Sequence, residues 1–308
     1  MLAPMSARKR LIVTGAHGFV AGSVLAQAGA EWEAHALGRG EALTQREGLR
    51  WHRLDPLQSG RLAQLFHEVR PDAVIHTAAL SDIDYCQAHP ELARAVNAGL
   101  TRALAELCAG TGAKLVLCST DTVFDGEHAP YCEEDPPRPV NSYAQTKVEA
   151  EQIVSQLGAQ GVIARLALVA GLPVLGAGNS FLARMLAALK DGRTVGGFTH
   201  EVRTPIDVIT LGRALLELAA GDHHGIFHLA GNSRLSRFEM AQQIAARFRF
   251  PLDLVVAQTP ASLPGRAPRP RDVSLDNRKA RGQLKTPMLS FADGLSLILS
   301  SSAAPLKS

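Results

Sequence analysis

The stretch "IVTGAHGFVAGSVLAQ", residues 12–27, decides how the rest of the chain is read. An apolar run ends at Thr14, and Gly15, Gly18 and Ala21 then follow in the spacing G-x-x-G-x-x-A. Gly15 permits a tight turn, Gly18 lets backbone amides come close to a pyrophosphate, and Ala21 or Gly22 lets the next helix pack closely on the sheet. Unsatisfied N–H groups and the dipole at the start of that helix favour an anion. The stretch therefore predicts strand, phosphate-binding turn and helix, in that order.

Working outward, short apolar runs recur at "RLIVT", "EAHAL", "LRWHRL", "DAVIHT", "KLVLCS" and "GVIARLAL", beginning at residues 10, 33, 49, 72, 114 and 161. Amphipathic segments at 61–69, 90–109 and 142–157 lie between several of them. Buried strands separated by helices imply βαβ units and a parallel sheet covered on both faces, which is a doubly wound α/β architecture. After about Gly171 the rhythm changes. "FLARMLAALKDG" reads as a helix ending at Gly192, "GIFHLAG" as one more buried strand, and Ser236 with Glu239 as a capping box opening another helix. The proline-rich "TPASLPGRAPRPRD" is short enough to be an ordered loop. The expected division is a dinucleotide-binding domain of residues 8–170 plus 204–230, with a smaller α/β lobe of 171–203 plus 231–308.

Bulk properties fit this frame. With 308 residues, 46% hydrophobic and 20% charged, the chain is an ordinary globular one, and its net charge of +3 is scattered rather than gathered into a nucleic-acid-binding stripe. Cys86, Cys108, Cys118 and Cys132 match neither a metal-site spacing nor a disulfide framework, and no His/Asp/Glu cluster has ligand spacing. A reducing cytosol and no metal are expected. The basic start and apolar middle of "ARKRLIVTGAHGFVAGSVLAQAGA" superficially suit a secretory signal, but Thr14, His17 and the glycines make a poor signal core. Arg165 and Pro173 interrupt the best candidate for a membrane span, so a soluble cytoplasmic protein is expected.

An NAD site commonly carries an acid about 20 residues after the glycine turn, at the end of the second strand. Here that place reads "HALGRGE", with Gly38 and Arg39, and a guanidinium there suits the 2'-phosphate of NADP. Glu41 leaves NAD open. Asp55, after the third strand, could accept a hydrogen bond from the adenine amino group or simply start a helix. In "NSYAQTKVEAE", residues 141–151, Ser142 and Gln145 read as a capping box, and Tyr143 and Lys147 share a helix face.

These motifs, with "HTAALSDIDYCQAHPELARAVNA", "CSTDTVFDG", "RTPIDV" and "RPRDVSLD", resemble the extended short-chain dehydrogenase/reductase superfamily, and within it the dTDP-4-dehydrorhamnose reductase family, nearly end to end. The resemblance implies a Rossmann-type fold and a catalytic set of Thr120, Tyr143 and Lys147. It implies cofactor contacts at Gly15, His17, Gly18, Phe19, Val20, Arg39, Asp55, Ala78, Ala79, Asn97, Tyr143 and Lys147. Substrate contacts would come from Ser119, Thr120, Asp121, Thr122, Arg203 and Arg269, with Arg271 a further candidate. His76 falls near the cofactor in the family pattern, although a lone His at a strand end is more often structural.

The implied reaction is NADPH-dependent reduction of the C4 ketone of a nucleotide-linked 4-keto-6-deoxy sugar, dTDP-4-dehydrorhamnose to dTDP-rhamnose. A phenol can protonate the nascent alkoxide if its anion is stabilised, and Lys147 would do this by lowering the Tyr143 pKa. Thr120 would orient the ketone. Asp121 is followed by Thr122 rather than the glutamate of the related dehydratases, which disfavours water elimination. The family reductases usually show tyrosine where Thr122 stands. Two other implications stay open: another sugar-nucleotide oxidoreductase or epimerase, and a non-catalytic NADP-binding chain resembling the regulatory β subunit of methionine adenosyltransferase. The resemblance also suggests a homodimer.

Overall fold

The computed structural model describes residues 8–55, 59–176, 178–259 and 265–302. The first half runs β1 (Lys9–Thr14), α1 (Phe19–Gln27), β2 (Trp32–Gly38), β3 (Leu49–Arg53), α2 (Ser59–Val69), β4 (Ala73–His76), α3 (Ile83–Ala88), α4 (Pro90–Arg94), α5 (Leu100–Thr111), β5 (Lys114–Thr120), α6 (Ser142–Ser155) and β6 (Gly161–Leu166). The second half adds β7 (Val169–Ala170), α7 (Phe181–Lys190), β8 (Val195–Phe198), β9 (Val202–Arg203), β10 (Ile206–Asp207), α8 (Val208–Ala220), β11 (Gly225–Leu229), β12 (Leu235–Ser236), α9 (Arg237–Arg247), β13 (Val255–Gln258), α10 (Arg278–Gln283) and α11 (Phe291–Ser302).

Seven strands form one parallel sheet in the order β11-β6-β5-β4-β1-β2-β3. Each apolar run singled out in the sequence is one of them, because a strand covered on both faces has no polar side to alternate with. One core layer packs α1 and α8 on the sheet through Val24, Leu25, Leu211 and Leu215. The opposite layer joins Leu62, Phe66, Leu104 and Val154. The strand order reverses between β1 and β4, so the turn after β1 opens at the switch point, where ligands bind in such sheets.

Two local expectations are corrected. The helix expected over 90–109 is broken: α4 passes through one π-helical turn, Ala95–Gly99, before α5 begins. The cause is Asn97, whose amide holds the backbone of Leu80, its Oδ1 accepting from N–H at 2.8 Å and its Nδ2 donating to the carbonyl at 3.0 Å. The second concerns α6, where the cap is Asn141 rather than Ser142. Asn141 Oδ1 accepts from the Ala144 amide at 2.9 Å, while Ser142 donates through its amide and hydroxyl to Gln87 Oε1. The capping box at Ser236 and Glu239 is present as expected. Of the proline-rich loop, residues 260–264 lie outside the described residues.

Candidate active site

At Gly15 the backbone takes a φ of +68°, and a Cβ there would meet the Ala78 Cα at 2.8 Å. Glycine is needed on both counts. The chain closes with the Gly18 amide donating to the Gly15 carbonyl at 2.7 Å, and α1 begins with no side-chain cap. Its first N–H groups are therefore left to a ligand. Gly22 makes room for the backbone of Leu175 rather than for the sheet, and the buried Ala21 faces the core. Gly38 has an explanation the sequence hid: a Cβ there would lie 2.5 Å from Nδ1 of His17. The His17 ring fills the ground where an acidic side chain would start, and its Nε2 bonds the Glu41 carbonyl at 2.8 Å. Arg39 is exposed beside it, and Asp55 is half-buried after β3.

His17, Gly18, Phe19, Val20 and Ala79 line a cavity of about 920 Å³ whose other walls include Ser119, Thr120, Asp121, Thr122, Tyr143, Lys147, Arg203 and Arg269. Gly15, Arg39, Asp55, Ala78, Asn97 and Arg271 do not line it. Thr120 ends β5 and caps the short turn Asp121–Val123, accepting from the Thr122 amide at 3.2 Å. Its hydroxyl donates to Asp121 Oδ1 at 3.2 Å and lies 3.0 Å from the Thr122 hydroxyl. Ser119 borders the cavity too, yet its hydroxyl donates to the buried Glu151, which Arg165 grips with Nε and Nη2. Ser119 is thus committed to the buried Glu151, whereas the Thr120 hydroxyl bonds its near neighbours Asp121 and Thr122 at the cavity wall.

Burial dominates the electrostatics. It pushes the Tyr143 phenol well above its ordinary value, the Asp121 charge adds to this, and Thr120 opposes it. Burial also lowers Lys147 to about 8 and raises Asp121 to about 6, the latter against the pull of Arg203. Burial and the Asp121 charge thus act against the lowering of the Tyr143 pKa expected from Lys147. Asp121 Oδ2 is buried without a hydrogen-bond partner among the described residues.

Of the expected arginines, Arg203 and Arg269 line the cavity, each with partners of its own. Arg203 donates from Nη1 to the Val202 and Arg271 carbonyls and from Nη2 to Pro270, with Nε 3.8 Å from Asp121 Oδ2. Arg269 is bidentate to Asp84 at 2.9–3.1 Å, and Arg271 is exposed outside the cavity. Three unforeseen arginines, Arg184, Arg237 and Arg266, also line it. Arg266 pairs with Glu201 and stacks on Phe198, and Arg237 stacks on Phe181. The available signal for Arg237 was its place directly after the Ser236 cap, in a connection following β11 at the ligand-binding edge of the sheet.

A buried chain of hydrogen bonds joins the glycine turn to α6. The Ala78 amide donates to the Thr14 hydroxyl, and Thr14 bonds His76 Nδ1 at 2.8 Å. His76 Nε2 bonds the Thr101 hydroxyl at 3.1 Å, which donates to the Asn97 carbonyl at 2.6 Å. Asn97 Nδ2 donates to the Thr146 hydroxyl at 2.9 Å, and Thr146 donates to the Tyr143 carbonyl at 2.7 Å. His76 and Asn97 are therefore structural supports of the site. Burial lowers His76 to about 3, with Lys147 contributing. Among the described residues, no group of three or more His, Cys, Asp or Glu could hold a metal, and no helix is long and apolar enough to cross a membrane.

Sheet order, glycine turn and the Thr120–Tyr143–Lys147 cavity are those of an extended short-chain dehydrogenase/reductase. The chain belongs to the family described as RmlD substrate binding domain, which it matches over residues 9–303. It is 30% identical over 278 residues to methionine adenosyltransferase 2 subunit beta of Rattus norvegicus, covering 88% of this chain and 81% of that one. It is also 30% identical over 243 residues to a dTDP-4-dehydrorhamnose reductase of Sinorhizobium fredii, covering 76% and 77%. The crystal structure of dTDP-4-dehydrorhamnose reductase from Bacillus anthracis in complex with NADP superposes with a TM-score of 0.84 at 25% identity, covering 96% and 99%.

Proposed function

We propose that this protein is an NADPH-dependent reductase of the C4 ketone of a nucleotide-linked 4-keto-6-deoxy sugar, with dTDP-4-dehydrorhamnose as substrate and dTDP-rhamnose as product. The observation that carries this reading is the single cavity shared by the uncapped start of α1 and by Thr120, Tyr143 and Lys147. Residues 8–170 plus 204–230 would hold the cofactor, and 171–203 plus 231–308 would shape the substrate side.

The glycine turn fits a dinucleotide because Gly15, with its positive φ and its close approach to Ala78, lets the chain turn tightly into the uncapped start of α1. Exposed Arg39 suits a 2'-phosphate. When bound, the reduced nicotinamide supplies a hydride to the ketone carbon. Tyr143 then delivers its phenolic proton to the ketone oxygen, and its raised pKa keeps that proton in place at neutral pH. Thr120 turns its hydroxyl from Asp121 to the ketone and fixes the carbonyl's direction. Lys147, still largely charged at pH 7, stabilises the phenolate left behind and offers N–H donors to the cofactor ribose.

The test is NADPH oxidation by the purified protein with dTDP-4-dehydrorhamnose, run beside Tyr143→Phe. A loss of about 10²–10⁴-fold in kcat, with NADPH affinity retained, supports Tyr143 as the acid. The similarity to the methionine adenosyltransferase β subunit favours a second role, an NADP-binding regulatory chain. NADPH binding without turnover on any keto-sugar nucleotide would favour it.

A further inference from the structure

We propose that Glu151 is a positioning residue of the site: it clamps the helix of Tyr143 and Lys147 to the strand of Thr120, and its carboxylate holds Lys147 as a cation. Its part in turnover rests on the reaction proposed above; the clamp and the charge do not.

Tyr143, Lys147 and Glu151 follow at four-residue intervals on α6 and so share one face of the helix. The first two line the cavity and Glu151 does not. Its buried carboxylate is instead gripped from two neighbouring strands. Ser119 on β5, directly before Thr120, donates its hydroxyl to Oε1. Arg165, the register partner of Ser119 on β6, donates from Nε to the two oxygens at 3.1 and 3.2 Å and from Nη2 to Oε2 at 2.9 Å. The rest of the guanidinium is committed as well. Nη1 reaches the Glu133 carbonyl at 3.5 Å and His228 Nε2 at 3.4 Å, and the group lies 5.0 Å from the centre of the Phe124 ring. One carboxylate thus ties α6 to the ends of β5 and β6, where the three proposed reacting residues stand.

A buried ion pair stabilises a fold weakly, because desolvation of both charges offsets their attraction. Here the pair contributes placement and charge. Burial lowers Lys147 to about 8, with Cys118 and Glu151 opposing it. Burial also pushes the Cys118 thiol up to about 12, so the thiol is still neutral where Lys147 titrates. His76 on β4, lowered to about 3 by burial and by Lys147, is neutral there too, and the Tyr143 phenol keeps its proton. Of the titratable groups acting on Lys147, Glu151 is therefore the one that carries a charge. It draws on Lys147 through space while its own hydrogen bonds go to Ser119 and Arg165.

Competitive labelling of the lysines with trace acetic anhydride across neutral and alkaline pH, read by mass spectrometry, gives the Lys147 midpoint without substrate or turnover. Glu151→Gln keeps the shape and the Ser119 bond but strands the Arg165 charge. Glu151→Gln combined with Arg165→Met leaves no buried charge unpaired and keeps an apolar side chain over Phe124. Glu151→Asp keeps the charge and shortens the arm. The Lys147 midpoint should fall by about one pH unit or more in the single and the double charge-removing variants. With Glu151→Asp it should stay near the native one, while kcat for ketone reduction falls about ten- to a hundredfold through misplacement of α6. The alkaline limb of the kcat profile should move with the Lys147 midpoint. An unchanged midpoint in the double variant, or an equal fall with Glu151→Asp, overturns the proposal. If the midpoint shifts as expected while the native protein reduces no keto-sugar nucleotide, the clamp stands and only the proposed reaction is lost.

Discussion

Replacing Asp121 by Asn should make the protein more stable, and only at neutral and alkaline pH. In the fold this carboxyl titrates at about 6 because burial outweighs the attraction of Arg203, against an ordinary value of 3.8. The folded value lies above the unfolded one, so the ionised group opposes folding. The penalty is complete above about pH 6, shrinks on acidification and is gone below 3.8. A difference of roughly two pH units corresponds to about 3 kcal/mol. Asn keeps an oxygen for the Thr120 hydroxyl, now 3.2 Å away, and carries no charge. Its amide N–H groups need partners, so a gain of about 1–3 kcal/mol at pH 8 is expected, near zero at pH 4. Urea titrations of both proteins at the two pH values measure this directly. A variant less stable than the native protein at pH 8, or one whose advantage is the same at pH 4, would refute the argument that Asp121 is a buried and under-compensated charge.

Other outcomes follow from the same geometry. Arg39→Ala should raise the KM for NADPH about tenfold and leave that for NADH nearly unchanged; parallel loss with both cofactors would show that Arg39 does not meet the 2'-phosphate. Gly38→Asp alone should not create NADH preference, since its Cβ would lie 2.5 Å from the His17 ring, whereas Gly38→Asp with His17→Ala should improve NADH use; improvement by the single change would contradict the steric account. His35, lowered to about 4, and His76 and His228, lowered to about 3, are held neutral chiefly by burial. Because their folded values lie below the unfolded 6.5, their support is complete above pH 6.5 and is lost as pH falls through 4 towards 3. The urea midpoint should fall across that window by more than Asp121 returns, and a flat profile would exclude this.

The parallel sheet was legible because its strands are uninterrupted apolar runs and because Gly15 and Gly18 sit where a phosphate turn must bend. Thr120, Tyr143 and Lys147, singled out by the family resemblance, line one cavity. What escaped depends on neighbours distant in sequence. Gly38 is small because His17, from another turn, occupies its space. The π-turn exists because Asn97 reaches back to Leu80, which no periodicity reports. Asn141 and Ser142 are both good caps, and the choice was settled by Gln87 taking Ser142. Arg203 and Arg269 both line the cavity, and the sequence did not show that the first would also hold carbonyls and the second Asp84. Charge type is visible in a sequence; whether a charge has a partner is not.

The chain of hydrogen bonds from Thr14 to Tyr143 runs in one direction only. Thr146 donates to a carbonyl, so it must accept from Asn97; Thr101 donates to a carbonyl, so it must accept from His76. His76 is thereby the Nε2–H tautomer, with a bare Nδ1 facing the Thr14 hydroxyl. No member can turn round without breaking a bond at both sides, and the links are short side chains with little rotational play. The glycine turn and the helix of Tyr143 are thus joined by a stiff spacer that, in the proposed reaction, would set the distance from cofactor to acid. Under the proposed reaction, shortening or lengthening one link, as His76→Asn or Asn97→Gln would, should change the spacing of cofactor and phenol while leaving every proposed reacting group intact.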